Sequence, residues 1–326
     1  MQAAVFRVYG GPDVIDITEL PEPAMYAPDQ VLIEVHAVAL NPLDTRIRRG
    51  ELSFFVRQSW PARLGHDVFA TVLACGNKVT HLRVGDKVAG FIDRSHCPSL
   101  MGFVRGGALA QRIVVRANTL CTVRGAATAD VAALGLAGQT ASQALLDKTH
   151  IQPGQKVLIN GASGGVGSMA VQIARQLGAE VTAVAGAEHC HWLEALGATR
   201  VLDYRTEQVL GDVQYDVIYD VVGVLKPAQA RSSLQAGGIF ISNIPSLRGM
   251  LRAALSRLLP AWRPRFAVVW VKPDYRAMER LLSWYASGKI QPAVSARFNW
   301  SQVREAFEYM ESPRSYGKTL VLLGNL

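Results

Sequence analysis

Residues 156–186, KVLINGASGGVGSMAVQIARQLGAEVTAVAG, carry the densest chemical signal in the chain. Gly161, Gly164, Gly165 and Gly167 stand with Ser163 and Val166 between an apolar run and a helical one. Glycine lacks the Cβ that would keep a ligand off the backbone, and a helix N-terminus offers unpaired N–H groups to an anion. The chemistry this implies is capture of a dinucleotide diphosphate. A turn that merely packs helix on strand is the alternative, and four glycines within seven residues exceed that need. The next apolar run, VTAVA, ends at Ala185 and Gly186, where an acidic residue would bind ribose hydroxyls and repel a 2′-phosphate. Room without negative charge there favours NADP(H). Gly223, after VIYDVV, and Asn243, after IFIS, follow the carboxyl ends of further strands, where parallel sheets bind ligands. Loop punctuation is their plainer reading.

The elements that must position these residues fall into two parts. Up to about residue 123 the chain is β-rich. Runs at 31–40, 67–76, 87–91 and 108–116 are broken by turn signals such as Asn41-Pro42 and Gly85-Asp86. A compact barrel-like domain is expected. From 124 the character changes, with an alanine-rich helical period over 128–148. Strands at 156–160, 180–185, 216–222 and 238–243 then alternate with helices at 165–178, 188–197 and 227–235. The pattern implies a doubly wound parallel sheet. Helices near 275–287 and 301–311 and a strand near 318–323 complete the chain.

A chain of 326 residues exceeds the usual single core, so two domains are expected. No apolar run approaches the roughly 20 residues that span a bilayer. The N-terminus lacks a signal-peptide core, and a cytoplasmic location is the expectation. Cys75, Cys97, Cys121 and Cys190 are scattered, against a disulfide framework or a structural zinc lobe. A net charge of +8 suits anionic ligands, but Lys and Arg are dispersed outside 248–265 and no RNA-binding motif is present. No specific nucleic-acid partner is expected.

The segments NPLDTRIRRG (41–50), LGHDVFATVLACGNKVTHLRVGDKVAG (64–90), GGALAQRIVV (106–115), LAGQTASQALL (136–146), GASGGVG, GATRVLDYR (197–205), YDVIYDVVG (215–223) and SYGKTLVLL (315–323) resemble the medium-chain dehydrogenase/reductase superfamily. Within it the chain is most similar to the zinc-independent quinone oxidoreductases, including the mitochondrial reductases that bind reticulon. The resemblance implies a GroES-like catalytic domain over 1–123, completed by about 267–326, and a Rossmann NADP-binding domain over 124–266. It places the active site in a cleft between them and suggests a homodimer. It assigns Asn41 to the acceptor carbonyl or the cofactor carboxamide, and Thr140 to the nicotinamide or an adjacent phosphate. Tyr204 falls where relatives stack or hydrogen-bond near the adenosine phosphate, and Lys318, matching a C-terminal basic position of the same branch, is implied to bind the cofactor. One departure is Glu188, where many relatives carry Arg; Arg200, Arg205, His189 and His191 stand near it in sequence to offset its charge.

Zinc relatives carry a His in a motif similar to Gly65-His66-Asp67, and two cysteines whose places are taken here by Asn41 and Leu136. Three protein ligands are needed, so no metal is expected and His66 reads as a hydrogen-bonded structural residue. Asp44 likewise reads as a turn or hydrogen-bonding residue rather than an acid. Without a Lewis acid, conjugated acceptors are the natural substrates, because charge from an added hydride delocalises onto an oxygen. The resemblance therefore implies an NADPH-dependent reductase of quinones or α,β-unsaturated carbonyls. A zinc alcohol dehydrogenase and a low-turnover nicotinamide-binding interaction or RNA-binding protein are the alternatives. Residues 247–260, LRGMLRAALSRLLP, form one apolar helical face flanked by Arg248, Arg252 and Arg257. A packed lid or subunit contact is the plain reading; weak membrane-surface contact through 247–265 is the sharper one.

Overall fold

The computed structural model describes residues 1–54, 57–92, 103–104, 107–125, 128–244, 254–255, 260 and 263–324. The segment 247–265 and Cys97 fall mostly or wholly outside the described residues. The chain forms two compact units. One comprises Met1–Gln139, Lys272–Gly288 and Pro292–Leu326; the other comprises Thr140–Val271 and Lys289–Gln291.

The first unit is built on antiparallel strands whose side chains alternate between core and surface. In Gln30–Ala39, Val31, Ile33 and Val35 are buried while their neighbours are partly exposed, the period of two that a half-buried strand requires, and the last three residues of the strand are all buried. Its main sheet runs in spatial order Leu120–Thr122, Lys87–Phe91, Asp67–Cys75, Gln30–Ala39, Lys318–Leu322, Val294–Asn299. A smaller sheet sets Gln2–Phe6 between Asp16–Glu19 and Ala62–Arg63. The penultimate and last strands pair in parallel, and the last pairs antiparallel with Gln30–Ala39.

The helical period over 128–148 is interrupted at Gly135, a departure from the continuous helix expected. Ala129–Leu134 is a 3-10 segment, Leu136–Ser142 is α-helical, and Gln143–Asp147 widens to a π turn. The cause is Asp67, whose Oδ1 accepts the Leu136 N–H at 2.6 Å. A Cβ on residue 135 would lie 2.4 Å from that oxygen, so only glycine lets the chain approach. The 3-10 segment packs on Gln30–Ala39, Asp67–Cys75 and Lys318–Leu322. Compactness accordingly divides the chain between Gln139 and Thr140, further along than the change of composition near 124.

The second unit holds a six-stranded parallel sheet in the order Arg200–Asp203, Glu180–Ala185, Lys156–Asn160, Tyr215–Asp220, Leu234–Ser242, Arg265–Val268. Numbered along the chain, this is the 3-2-1-4-5-6 order of a Rossmann sheet. Val157, Leu158, Ile159 and Asn160 are all buried, the unbroken run that a doubly covered parallel strand needs. Gly165–Gln176 and Cys190–Leu196 are its first crossover helices. The strand order reverses between Lys156–Asn160 and Tyr215–Asp220, and a crevice forms at such a switch point.

Candidate functional site: a dinucleotide cradle and a buried polar cluster

The strand Lys156–Asn160 enters the glycine turn at Gly161, whose φ of +82° is a left-handed conformation suited to glycine. Gly167 lies one turn into the helix and packs against that turn; a Cβ there would sit 2.1 Å from the Gly161 carbonyl oxygen. Gly164 faces open space, since an added Cβ would meet only the Gly161 oxygen, at 3.7 Å. No side chain caps the helix, and the N–H groups of Gly165, Val166 and Gly167 have no partner among the described residues. Free donors, a helix N-terminus and an open glycine edge together fit a diphosphate. Ser163 is half-buried in the same turn.

At the switch point, Asn160 Nδ2 donates to Asp220 Oδ1 at 2.9 Å, tying the carboxyl ends of the two central strands together. The buried Asp220 also accepts from Gly223 N at 3.0 Å and Leu225 N at 2.8 Å, which shapes the loop carrying Gly223. A Cβ on Gly223 would meet Ile244 Cγ1 at 2.2 Å. Tyr219, whose hydroxyl is pushed up from its usual range by burial, donates to Asn243 Oδ1 at 2.7 Å. Asn243 thus keeps its Nδ2 as a donor. Val222, Val224 and Ile244 give this edge an exposed apolar rim. Gly161, Gly223 and Asn243 are therefore brought to one edge of one sheet.

The end of Glu180–Ala185 is a second cluster. Ala185 is buried, and Gly186 leads into a 3-10 segment, Ala187–His189. The Glu188 carboxylate folds back over Gly186, its Oε2 lying 2.5 Å from where a Cβ on that glycine would be. Arg205 holds it in a two-pronged pair, Nη1 to Oε2 at 2.8 Å and Nη2 to Oε1 at 2.9 Å. This bonding, led by the Arg205 hydrogen bonds, lowers the Glu188 carboxyl to about 2. The Arg205 guanidinium lies 5.2 Å from the centre of the exposed Tyr204 ring. Tyr204 N–H in turn donates to Ala185 O at 3.3 Å, which fixes the motif beside the strand end. The expected residues Ala185, Gly186 and Tyr204 come together here. The Glu188 carboxylate that the sequence places nearby is paired with Arg205.

Asn41 and Lys318 meet in the first unit, in a cluster that the sequence reading treated as separate positions. Asn41 is 2% exposed, and both its Nδ2 hydrogens are used: one by Ala39 O at 3.2 Å, one by Asp67 Oδ2 at 3.0 Å. Its Oδ1 accepts from Lys318 Nζ at 2.5 Å. This corrects the expectation that the Asn41 amide donates to an acceptor carbonyl, since no donor hydrogen is left. Lys318, expected among the cofactor-binding residues, has a buried ammonium that reaches Asp67 Oδ2 at 3.1 Å. Burial, the largest influence, pushes the Asp67 carboxyl up, against the pull of Lys318, Asn41 and the Leu136 N–H. Asp67 is the residue that the sequence reading missed. Its signal in the sequence is its place directly after His66 in Gly65-His66-Asp67.

His66 Nδ1 bonds Asp44 Oδ1 at 2.8 Å, and a carboxylate can only accept, so Nδ1 carries the proton. Asp44 is wholly buried and accepts further from Gly65 N at 2.7 Å and, through Oδ2, from Asn41 N at 3.0 Å. Both residues occupy the structural places expected. Asp44 closes the first turn of the helix Pro42–Arg48, half of a capping box. Thr140 is buried on the helix Leu136–Ser142. Among the described residues, no group of three or more His, Cys, Asp or Glu is arranged to hold a metal ion. No helix among them is long and apolar enough to cross a membrane.

Residues 27–125 match the family model of the alcohol dehydrogenase GroES-like domain, and residues 196–321 match that of a zinc-binding dehydrogenase. The chain is 30% identical over 328 residues to a chloroplastic NADPH-dependent alkenal/one oxidoreductase of Arabidopsis thaliana, covering 98% of this chain and 79% of the relative. It is similar in structure to the quinone oxidoreductase from Coxiella burnetii, with a TM-score of 0.85, 27% identity and 99% of both chains covered. The Escherichia coli quinone oxidoreductase complexed with NADPH matches with a TM-score of 0.80 and 25% identity, over 99% of this chain and 100% of that one. Glycine turn, Rossmann order and GroES-like unit thus agree with these likenesses, and the chain belongs to the medium-chain dehydrogenase/reductase superfamily as an oxidoreductase of that type.

Proposed function

We propose that the protein reduces quinones or α,β-unsaturated carbonyls, with NADPH preferred and without zinc. The observation that carries this reading is the state of the positions where zinc relatives place ligands. Leu136 is apolar, and the one atom with which Asn41 could ligate already accepts from the Lys318 ammonium. His66 alone offers a ligand nitrogen, which is short of the three a catalytic zinc needs.

A reduced nicotinamide, when bound, supplies a hydride. The chain's own contribution is placement. The N–H groups of Gly165, Val166 and Gly167 would hold the diphosphate, and Gly161 and Gly223 supply the left-handed backbone of the turns that leave the central strands. The exposed rim of Val222, Val224 and Ile244 suits a flat apolar acceptor. Asn243 Nδ2 remains free to donate to the carboxamide or the acceptor oxygen. Thr140 is retained as a nicotinamide-side residue, and Asn41 acts by positioning. Ala185 at the strand end, without a carboxylate of its own, supports the preference for NADPH. For a conjugated acceptor, such positioning carries much of the acceleration.

The test is the initial rate of NADPH and NADH oxidation by chelator-treated protein with quinones, enones and simple aldehydes. Turnover of quinones or enones after chelation is expected. Activity lost on chelation and restored by zinc overturns the metal-free reading. Comparable kcat/KM for NADH overturns the NADPH preference.

A further inference from the structure

The glycine turn accounts for a diphosphate, but it does not explain why a carboxylate and a guanidinium sit locked together over Gly186. The pair lies at the carboxyl end of Glu180–Ala185, where the adenosine ribose of a dinucleotide is read in a Rossmann sheet. Both partners are half exposed, at 50% each. An exposed ion pair contributes little to stability, so a competitor can take either partner without unfolding anything. The fork geometry matters as well. Arg205 offers two parallel N–H donors to two carboxylate oxygens, which is also how arginine grips a phosphate monoester. The Tyr204 ring beneath the guanidinium restrains it, and Arg205 N–H donates to Asp203 Oδ1 at 3.0 Å, so the fork stays at the strand end when its partner leaves. His189 Nε2 lies 4.0 Å from Glu188 Oε1 and adds a second nitrogen to the same patch.

We propose that Glu188 and Arg205 form an exchangeable selector for the 2′-substituent of the adenosine ribose. Paired with Arg205, Glu188 presents a carboxylate that accepts from a 2′-hydroxyl. A 2′-phosphate displaces Glu188 and takes the guanidinium fork. Each NADPH bound must therefore break an internal pair that each NADH leaves intact, so Glu188 narrows the discrimination that the bare strand end would otherwise have. This rests on the dinucleotide-binding part of the proposed function and is independent of the acceptor reduced.

The experiment measures binding, not turnover. The affinities of 2′,5′-ADP and 5′-AMP, which carry no nicotinamide, are determined by calorimetry for the wild-type protein and for Glu188→Gln, Arg205→Ala and Arg205→Lys. Thermal melting establishes that each variant is folded. Removing one like charge beside a phosphate is expected to tighten 2′,5′-ADP by about tenfold in Glu188→Gln at low salt, with a smaller gain as salt screens the contact. The affinity for 5′-AMP should stay level or fall. Arg205→Ala should weaken 2′,5′-ADP by about tenfold or more and 5′-AMP by less than about twofold. Arg205→Lys, which keeps the charge without the fork, should recover only part of that loss. If both nucleotides bind and their ratio is the same in all four proteins, the selector is overturned and the dinucleotide site stands. If folded wild-type protein binds neither nucleotide, the dinucleotide site falls and the selector falls with it.

Discussion

Lys318–Asp67 and Arg205–Glu188 are both cation–carboxylate pairs closed at about 3 Å, yet the first has side-chain exposures of 5% and 0% and the second 50% on each side. The buried pair is knitted to Asn41 and to the Leu136 N–H, so its charges are fixed with the backbone around them. The exposed pair is knitted to little besides itself and one ring. In the dry cluster, loss of one partner leaves a charge without water; at the wet strand end, solvent takes up the slack. The first pair therefore bears on whether the unit forms, the second on what it selects.

The sharpest way to break this comparison is Lys318→Met. We expect a loss of about 3–5 kcal/mol in denaturant unfolding, because Asp67 is then buried unpaired. Adding Asp67→Asn should return part of the loss by removing the stranded charge. A Lys318→Met variant as stable as the wild type would place the pair among the inert ones.

Next in size is Gly167→Ala. Its Cβ would press to 2.1 Å on the Gly161 carbonyl, and the glycine turn or the helix must shift. A loss of about 1–3 kcal/mol is expected, together with weaker binding of either nucleotide. An unchanged melting temperature with unchanged nucleotide affinity would mean that the close approach is not needed.

Cys121 extends the contrast to a neutral group of the first unit. Its Sγ donates to Tyr275 O at 3.2 Å, and burial, ahead of nearby Glu279 and Asp274, pushes the thiol up to about 12. Peptide-level mass spectrometry after brief alkylation at pH 8 should find Cys121 unmodified in the native protein and modified once it is unfolded.

The smallest expected effect is on the stability of Glu188→Gln. Its carboxyl is depressed in the folded state, so whatever the Arg205 contact adds is present above the ordinary carboxylate range. That contribution is lost as pH falls through about 2. Solvent screening keeps it small, so wild-type and variant melting temperatures should nearly coincide at pH 7 and converge fully in acid.

Much of the second unit was legible in the chain, because strand, glycine turn and crossover helix are local signals. Lys156–Asn160 and Glu180–Ala185 lie within the runs read for them, and the Gly161 to Gly167 turn joins strand to helix where its glycines stand. Arg200–Asp203 and Arg265–Val268 are not legible as strands, being only four residues each and opening on arginine. Such elements exist only through the neighbours they pair with. The buried cluster was illegible for a related reason. Asn41, Asp67 and Lys318 lie far apart in sequence, and only the pairing of both Asp67–Cys75 and the last strand with Gln30–Ala39 brings them together. Nor could periodicity show that Gly135 breaks a helix, since the break is made by a carboxylate from another strand.

That last strand also sets a timetable. Lys318–Leu322 is an interior member of the first unit's main sheet, flanked by a strand made early and one made late. Emerging from the ribosome, the N-terminal strands must wait while the whole parallel-sheet unit is synthesised, with residues 37–39 of Gln30–Ala39 unpaired on the side that Arg112–Arg116 leaves uncovered. The second unit has no such debt, since nearly all of it is one continuous stretch. A nascent chain stalled just before residue 318 should thus carry a formed nucleotide-binding unit beside an unfinished partner with an exposed, aggregation-prone sheet edge.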